Sequence, residues 1–104
     1  MDAKRRSRIE TTSKSALIGF TKSLAREVGD LNICVNAITP GLTLSDTQGA
    51  TTKPEYLKAF NEKRCFKRQQ VPEDLVGTVL FLASKGSDFI TGQTINVDGG
   101  FMMH

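Results

Sequence analysis

The 104-residue chain is poor in the residue types that most often build reactive centres. Its single histidine, His104, is the last residue, so the sequence supports neither a Ser-His-Asp arrangement nor a histidine-based metal site. The two cysteines, Cys34 and Cys65, have neither metal-binding nor redox spacing, and Cys34 lies in an apolar run where a free thiol is typically buried. We therefore expect no disulfide, no metal and a reducing, cytoplasmic compartment.

Long apolar runs and a strong excess of one charge are also missing. The longest apolar run, Val79 to Ala83, is far shorter than the roughly 20 residues of a membrane span, and nothing near Met1 resembles a signal peptide. Lys and Arg number 14 against 11 Asp and Glu, for a net charge of +3. Basic residues gather at positions 4–8 and 63–68 on a nearly balanced background, so we expect neither a membrane nor a nucleic-acid partner. Residues 1–10 are interpreted as a basic N-terminal tail.

The first half of the chain predicts a helix followed by a strand. Apolar residues recur at helical spacing from Thr11 to Val28. The apolar stripe consists of Leu17, Phe20, Leu24 and Val28. Ile33–Ile38 is a nearly continuous apolar run, as expected of a strand covered on both faces. Pro40 and Gly41 end this strand, because proline donates no ladder hydrogen bond and glycine allows a sharp turn.

The second half predicts two more helices and a final strand. Pro54 and Pro72 each suit the first turn of a helix, and the helix after Pro72 has a broad apolar face. Residues 42–52 are polar and unpatterned, which predicts a mobile loop. Thr94–Val97 is the last strand. A strand–helix–strand order implies two parallel strands packed by helices, so the predicted fold class is α/β.

Four short blocks follow one another in a recognisable order. They are Thr12-Ser13-Lys14-Ser15-Ala16, Val35-Asn36-Ala37-Ile38-Thr39-Pro40-Gly41, Val71-Pro72-Glu73-Asp74-Leu75 and the ending Ile90-Thr91-Gly92-Gln93 through Val97-Asp98-Gly99-Gly100. Together they resemble the C-terminal half of the classical short-chain dehydrogenase/reductase family, in particular its 3-oxoacyl-carrier-protein reductases. The resemblance implies that residues 11–104 are the C-terminal part of a Rossmann-like, doubly wound parallel sheet, with two parallel strands and three helices. Residues 42–70 match the family's substrate-loop region.

The resemblance also implies an NAD(P)-dependent oxidoreductase acting on a small carbonyl or alcohol substrate. Lys14 takes the place of the family's catalytic lysine, which also binds the nicotinamide ribose. Pro40 and Gly41 would form a wall of the nicotinamide pocket, and the backbone at Thr43 would contact the carboxamide. Ser45 stands where the family has a threonine that binds the same group. The carboxyl ends of parallel strands are, independently, where such sheets bind ligands.

One position departs from the family pattern. The family's catalytic tyrosine lies four residues before its lysine, on the same face of the helix, and gives its proton to the substrate oxygen. This chain has Glu10 there, and an ionised carboxylate beside a cation has no proton to donate at neutral pH. The single tyrosine, Tyr56, lies elsewhere, and no glycine-rich turn for the cofactor pyrophosphate occurs. We therefore expect a truncated family member that is inactive alone.

A non-catalytic interaction module is the alternative. The family pairs its subunits through the helix that corresponds to 11–28 and through its last helix and strand. The chain could therefore form a homo-oligomer or associate with a related full-length chain. Ile33–Ile38 supports this reading, because an apolar strand with one neighbour missing is prone to association. Nucleic-acid binding through the two basic clusters has the least support, since the charges are few.

Overall fold

The computed structural model describes residues 3–44 and 53–103. These residues form three α-helices and two strands, joined by short 3-10 turns. The elements in chain order are α1 (Ala3–Val28), β1 (Ala37–Pro40), α2 (Pro54–Lys63), α3 (Glu73–Leu82) and β2 (Thr94–Val97). The two strands lie side by side and parallel, with α2 and α3 between them in the sequence. This confirms the predicted α/β class and the predicted boundaries of the last strand.

Helix α1 begins at Ala3, eight residues before the predicted start at Thr11. Residues 3–10 contain no glycine or proline and are rich in Lys, Arg, Ala and Glu, all good helix formers. The hydroxyl of Thr12 donates to the carbonyl of Arg8 at 2.9 Å, so it bonds back into the preceding turn instead of marking a helix start. Local propensity therefore continues the helix into the segment interpreted as a tail.

The chain divides into two compact units. The first comprises Met1–Ala37 with Asp88–Thr94, and the second comprises Ile38–Ser87 with Ile95–His104. Among the described residues, none of the helices is both long and apolar enough to cross a bilayer.

In the first unit, the buried face of α1 is not the predicted apolar stripe. Thr21 and Ala25 are buried, at 3% and 6% exposure, whereas Leu17 and Phe20 are 49% and 62% exposed. A methyl group at Gly92 would lie 3.5 Å from the Cβ of Ala25, so the turn at Gly92 packs closely over this small face. The backbone of Gly92 has a φ of +72°, which glycine adopts without strain. The turn thus packs on small residues of α1, Leu17 and Phe20 stay exposed, and Leu24 and Val28 are only partly buried.

The strand predicted at Ile33–Ile38 begins only at Ala37. The N–H of Val35 donates to the side-chain hydroxyl of Thr91 at 2.9 Å instead of joining a regular ladder. The Cys34 thiol contacts the carbonyl of Asp88 and is exposed, so the prediction that Cys34 is buried was wrong. No disulfide joins Cys34 and Cys65.

In the second unit, α3 keeps much of its apolar surface exposed. Val76, Val79 and Leu80 are 51%, 51% and 64% exposed. A helix that is apolar on most sides is usually covered in a stable protein. The broad apolar face that the sequence predicts is therefore present, and most of it is exposed to solvent.

Candidate functional site

The site predicted at the carboxyl end of β1 begins with Pro40 and Gly41. The N–H of Gly41 donates to the carbonyl of Val97 in β2 at 3.2 Å. A Cβ at this position would lie 2.8 Å from Oε1 of Gln70 and 2.9 Å from Cβ of Asp98. Because atoms at such distances overlap, only glycine fits here without movement of its neighbours. The close approach explains Gly41 physically.

Gln70 fixes the same strand end from the segment between α2 and α3. Its side chain is 5% exposed, and its Nε2 donates to the carbonyl of Val97 at 2.6 Å. The carbonyl of Val97 thus accepts from both Gly41 and Gln70. Sequence reasoning missed Gln70, since a glutamine in a polar stretch gives no sign that it is buried.

Thr43 lies three residues beyond Pro40, the last residue of β1, and forms a parallel bridge with Gln70. The N–H that serves this bridge belongs to Leu44, which donates to the carbonyl of Gln70 at 2.9 Å. In a parallel bridge the middle residue directs its own N–H and C=O to the opposite side. Thr43 therefore presents one donor and one acceptor away from Gln70. The predicted site residue Ser45 lies outside the described residues.

Lys14 and Glu10 both lie on α1, in the first unit, and both side chains are exposed. Their four-residue spacing places them on one face of the helix, as the sequence predicted. Tyr56 lies on α2, in the second unit, where its ring contacts that of Phe60 at a centroid distance of 5.7 Å. Glu10 and Tyr56 therefore belong to different units of the chain.

The ending Val97-Asp98-Gly99-Gly100 is organised by one buried carboxylate. Asp98 is 8% exposed, and its oxygens accept the N–H groups of Gly100, Phe101 and Met102 at 3.0, 3.2 and 3.1 Å. Gly99 and Gly100 have φ values of +66° and +84°, so the turn requires glycine at both positions. This segment ties the last turn to β2.

The basic run at residues 63–68 does not form a continuous basic surface. Arg64 is 1% exposed, and Arg68 binds both carboxylate oxygens of Asp74 at 2.7 Å. A concavity of about 460 Å³ opens beside these residues, and its charged lining groups are two arginines and two aspartates. This balance favours neither an anion nor a cation. In the part of the chain that the structure describes, no group of three His, Cys, Asp or Glu side chains could hold a metal.

Comparisons with known proteins show which family the chain resembles. Residues 4–102 match the family model described as enoyl-(acyl carrier protein) reductase. A probable galactose dehydrogenase from Rhizobium meliloti is 44% identical over 91 residues, which are 86% of this chain and 36% of that protein. A 3-oxoacyl-[acyl-carrier-protein] reductase from Rickettsia bellii is 46% identical over 91 residues, which are 88% of this chain and 37% of that protein.

Solved structures of similar proteins also superpose on this chain. A 3-oxoacyl-[acyl-carrier protein] reductase from Brucella melitensis superposes with a TM-score of 0.81 at 38% identity, over 88% of this chain and 34% of that one. A 4-hydroxyisoleucine dehydrogenase complexed with NADH and succinate gives a TM-score of 0.77 at 33% identity, over 88% of this chain and 36% of that one. The chain belongs to the short-chain dehydrogenase/reductase family. It has the α/β architecture of part of the Rossmann-like fold and spans about 36% of the length of the curated relatives that it matches.

Proposed function

We propose that this chain supplies the nicotinamide-contacting strand end of an NAD(P)-dependent short-chain oxidoreductase that acts on a carbonyl or alcohol, and that it is inactive alone. The supporting observation is the backbone at Thr43, which presents a donor and an acceptor on the side opposite Gln70. A carboxamide carries one acceptor oxygen and an NH₂ donor, so it matches this pair. The NADH bound by the 4-hydroxyisoleucine dehydrogenase adds support from a relative.

The residues of the strand end each have a defined task in this proposal. Pro40 and Gly41 form a wall for the nicotinamide ring, the N–H of Thr43 donates to the carboxamide oxygen, and the carbonyl of Thr43 accepts from its NH₂. Ser45 adds a hydroxyl for the same group, by its position in the sequence. Lys14 keeps its proposed role as the residue that binds the ribose hydroxyls. The nicotinamide, when bound, would supply the hydride.

The missing step is proton transfer. A carbonyl reduction needs an acid that protonates the substrate oxygen, and that acid must still hold its proton at the working pH. Glu10 stands at the sequence position of the family's tyrosine, four residues before Lys14, so the phenolic proton donor of the family is absent there.

Amide NMR of the isolated chain tests this proposal with two half-cofactors. We expect nicotinamide mononucleotide to shift the amides of Gly41, Thr43 and Leu44 with a Kd of about 1 mM or weaker, since most pocket contacts of a full cofactor are absent. Adenosine monophosphate is the matched control and should leave these amides unchanged. Equal shifts with both nucleotides, or none with either, would refute the nicotinamide assignment. Turnover of a 3-oxoacyl thioester with NADH or NADPH would refute the proposed inactivity.

An interaction module remains the second candidate, because specific apolar side chains are exposed on both proposed pairing elements. Phe20 on α1 is 62% exposed and Leu80 on α3 is 64% exposed. Large exposed apolar surfaces mark association sites in soluble proteins. We propose that these faces bind a second copy of the chain or a related full-length chain. Analytical ultracentrifugation should show a dimer or larger species that dissociates in Phe20→Ser or Leu80→Ser. If the wild-type chain is still monomeric at about 100 µM, a concentration above the dissociation constant of a typical dimer, self-association is excluded.

A further inference from the structure

Arg64 is a buried cation in a chain where most large side chains are exposed. It follows the last residue of α2 and is 1% exposed. From the sequence, it counts only as one member of the basic cluster at positions 63–68. Burying a guanidinium is costly unless its N–H groups find acceptors, so its contacts indicate what the residue holds in place.

The acceptors of Arg64 are neutral oxygens that lie before, within and after α2 in the sequence. Nη1 donates to Oδ1 of Asn61 at 2.9 Å and to the carbonyl of Arg68 at 3.1 Å. Nη2 donates to the carbonyl of Leu42 at 2.6 Å, across 22 positions of sequence. The guanidinium also lies over the ring of Phe60, 5.5 Å from its centroid. The bond to Leu42 is the one that reaches back to the segment after β1.

The segment Leu42–Leu44 is attached to the connection between α2 and α3 on both sides of Thr43. Before Thr43, the carbonyl of Leu42 accepts from Arg64 and from Nε2 of Gln69, the latter at 3.2 Å. After Thr43, the N–H of Leu44 donates to Gln70. A hydrogen bond from a cation is shorter and about twice as strong as a neutral one. Arg64 therefore supplies the strongest of these attachments.

We propose that Arg64 is a positioning residue, which sets the backbone orientation at Thr43 by holding the carbonyl of Leu42. The inference rests on the proposed nicotinamide contact at Thr43 and adds the residue that orients it. Because the N–H of Thr43 belongs to the same peptide unit as the carbonyl of Leu42, fixing that carbonyl fixes the direction of the donor. The guanidinium does not itself touch the nicotinamide; it acts through the peptide plane.

The test compares Arg64→Met and Arg64→Lys with Lys63→Met as the matched control. Methionine fills the buried space without donors, and lysine keeps the charge but lacks the planar fork that reaches several oxygens at once. Lys63 is exposed one residue earlier, so its variant also replaces a cation with methionine, but at the surface. The readouts are the carbonyl ¹³C shift of Leu42 and hydrogen exchange of the Leu44 amide, with thermal unfolding to show that each variant is folded.

In folded Arg64→Met we expect an upfield shift of the Leu42 carbonyl and a loss of Leu44 protection of about tenfold or more. Arg64→Lys should fall between that variant and wild type, whereas Lys63→Met should match wild type. An unchanged Leu42 shift with unchanged Leu44 protection would overturn the proposal. If Arg64→Met is unfolded, Arg64→Lys decides by the same criteria.

The functional arm uses the nicotinamide mononucleotide titration. We expect Arg64→Lys to weaken the binding of nicotinamide mononucleotide, as followed by the Thr43 amide shift, about tenfold. The Ala37 amide should keep its protection from hydrogen exchange. A titration equal to wild type would show that Arg64 does not position Thr43 for the ligand. If wild type itself shows no response, the nicotinamide assignment fails, and the ¹³C and exchange data still decide whether Arg64 holds the loop.

Discussion

The side-chain amide of Asn36 donates from Nδ2 to the carbonyl of Ile90 at 3.0 Å. The other end of the same amide, Oδ1, accepts the N–H of Gln93 at 3.1 Å. Asn36 belongs to the second sequence block, and Ile90 and Gln93 belong to the last one. Two of the blocks that carried the family resemblance are thus joined by one side chain. The asparagine has a structural role in this chain, within the first unit.

Replacement of Asn36 by aspartate keeps the side-chain acceptor and removes the side-chain donor. The carboxylate can still accept from Gln93, but it places a negative oxygen against the carbonyl of Ile90 with no proton between them. We expect Asn36→Asp to lower the free energy of unfolding by about 1–3 kcal/mol, measured by urea denaturation. Asn96→Asp is the matched control, because Asn96 accepts the hydroxyl of Thr39 through its side-chain oxygen, a role that a carboxylate keeps. Equal losses in both variants would contradict this role for Asn36.

Alanine at two glycines of the second unit should have opposite effects. Gly41→Ala brings a methyl group to 2.8 Å from Gln70 and 2.9 Å from Asp98, so we expect destabilisation of about 1–3 kcal/mol. Gly77 lies inside α3, and outside the adjacent helix backbone and its chain neighbours no atom lies within 4 Å of its would-be Cβ, so Gly77→Ala should stabilise by about 0.4–1 kcal/mol. Thermal and urea unfolding give both values. A neutral Gly41→Ala would mean that the strand end adjusts freely.

The rings of Phe60 and Phe101 are stacked, with centroids 4.3 Å apart and planes 6° from parallel. This contact joins α2 to the turn that Asp98 organises. Phe101→Leu keeps an apolar side chain but removes the aromatic pair, at an expected cost of about 0.5–1.5 kcal/mol. The same change at Phe89, which is 103% exposed, is the control and should be close to neutral. The Phe60 ring resonances should also lose their ring-current shift in Phe101→Leu alone.

The Arg68–Asp74 pair predicts a specific acid titration. Hydrogen bonds from the Arg68 guanidinium, then one from the N–H of Val71, lower the pKa of Asp74 from 3.8 to about 2. The carboxylate form is therefore favoured in the folded state. Its contribution to stability is fully present above pH 3.8 and is lost as the pH falls through about 2. A ¹³C titration of the Asp74 carboxyl should show this value directly.

Arg68→Met is the variant that tests the cause. Without the guanidinium, the pKa of Asp74 should rise towards its ordinary value, while Asp74→Asn should remove this component of the pH dependence altogether. A low pKa that persists in Arg68→Met would assign the effect to the backbone N–H of Val71 instead. Because the arginine side chain is 60% exposed, added salt should weaken the shift.

Much of the fold follows from sequence patterns that depend on local structure. Pro54 marks the start of α2, Thr94–Val97 is β2 as predicted, and the strand–helix–strand order gave the parallel pair. The failures have a common cause. The start of α1 depends on the helix propensity of the residues that precede Thr11. The buried face of α1 depends on the turn at Gly92, which is distant in the sequence. A periodicity rule contains neither piece of information.

The candidate site was predictable only where a backbone feature leaves a mark on the sequence. Gly41 is such a mark, because its neighbours leave no space for a side chain. Arg64 and Gln70 carry none, since a buried arginine in a basic run looks like an exposed one. Their positions depend on the carbonyls of Leu42 and Val97, which no side-chain pattern reveals. Polar residues that bind backbone oxygens are therefore the part of a site that a single sequence hides best.

The carbonyl of Val97 accepts both the N–H of Gly41 and the side-chain amide of Gln70. One oxygen thus bonds both the end of β1 and the segment between α2 and α3. The NH₂ resonances of Gln70 are consequently a built-in sensor for any small molecule that disturbs the strand end, even when the molecule never reaches the glutamine. In a sample labelled with ¹⁵N only at glutamine, a fragment screen can follow the two NH₂ proton signals of Gln70.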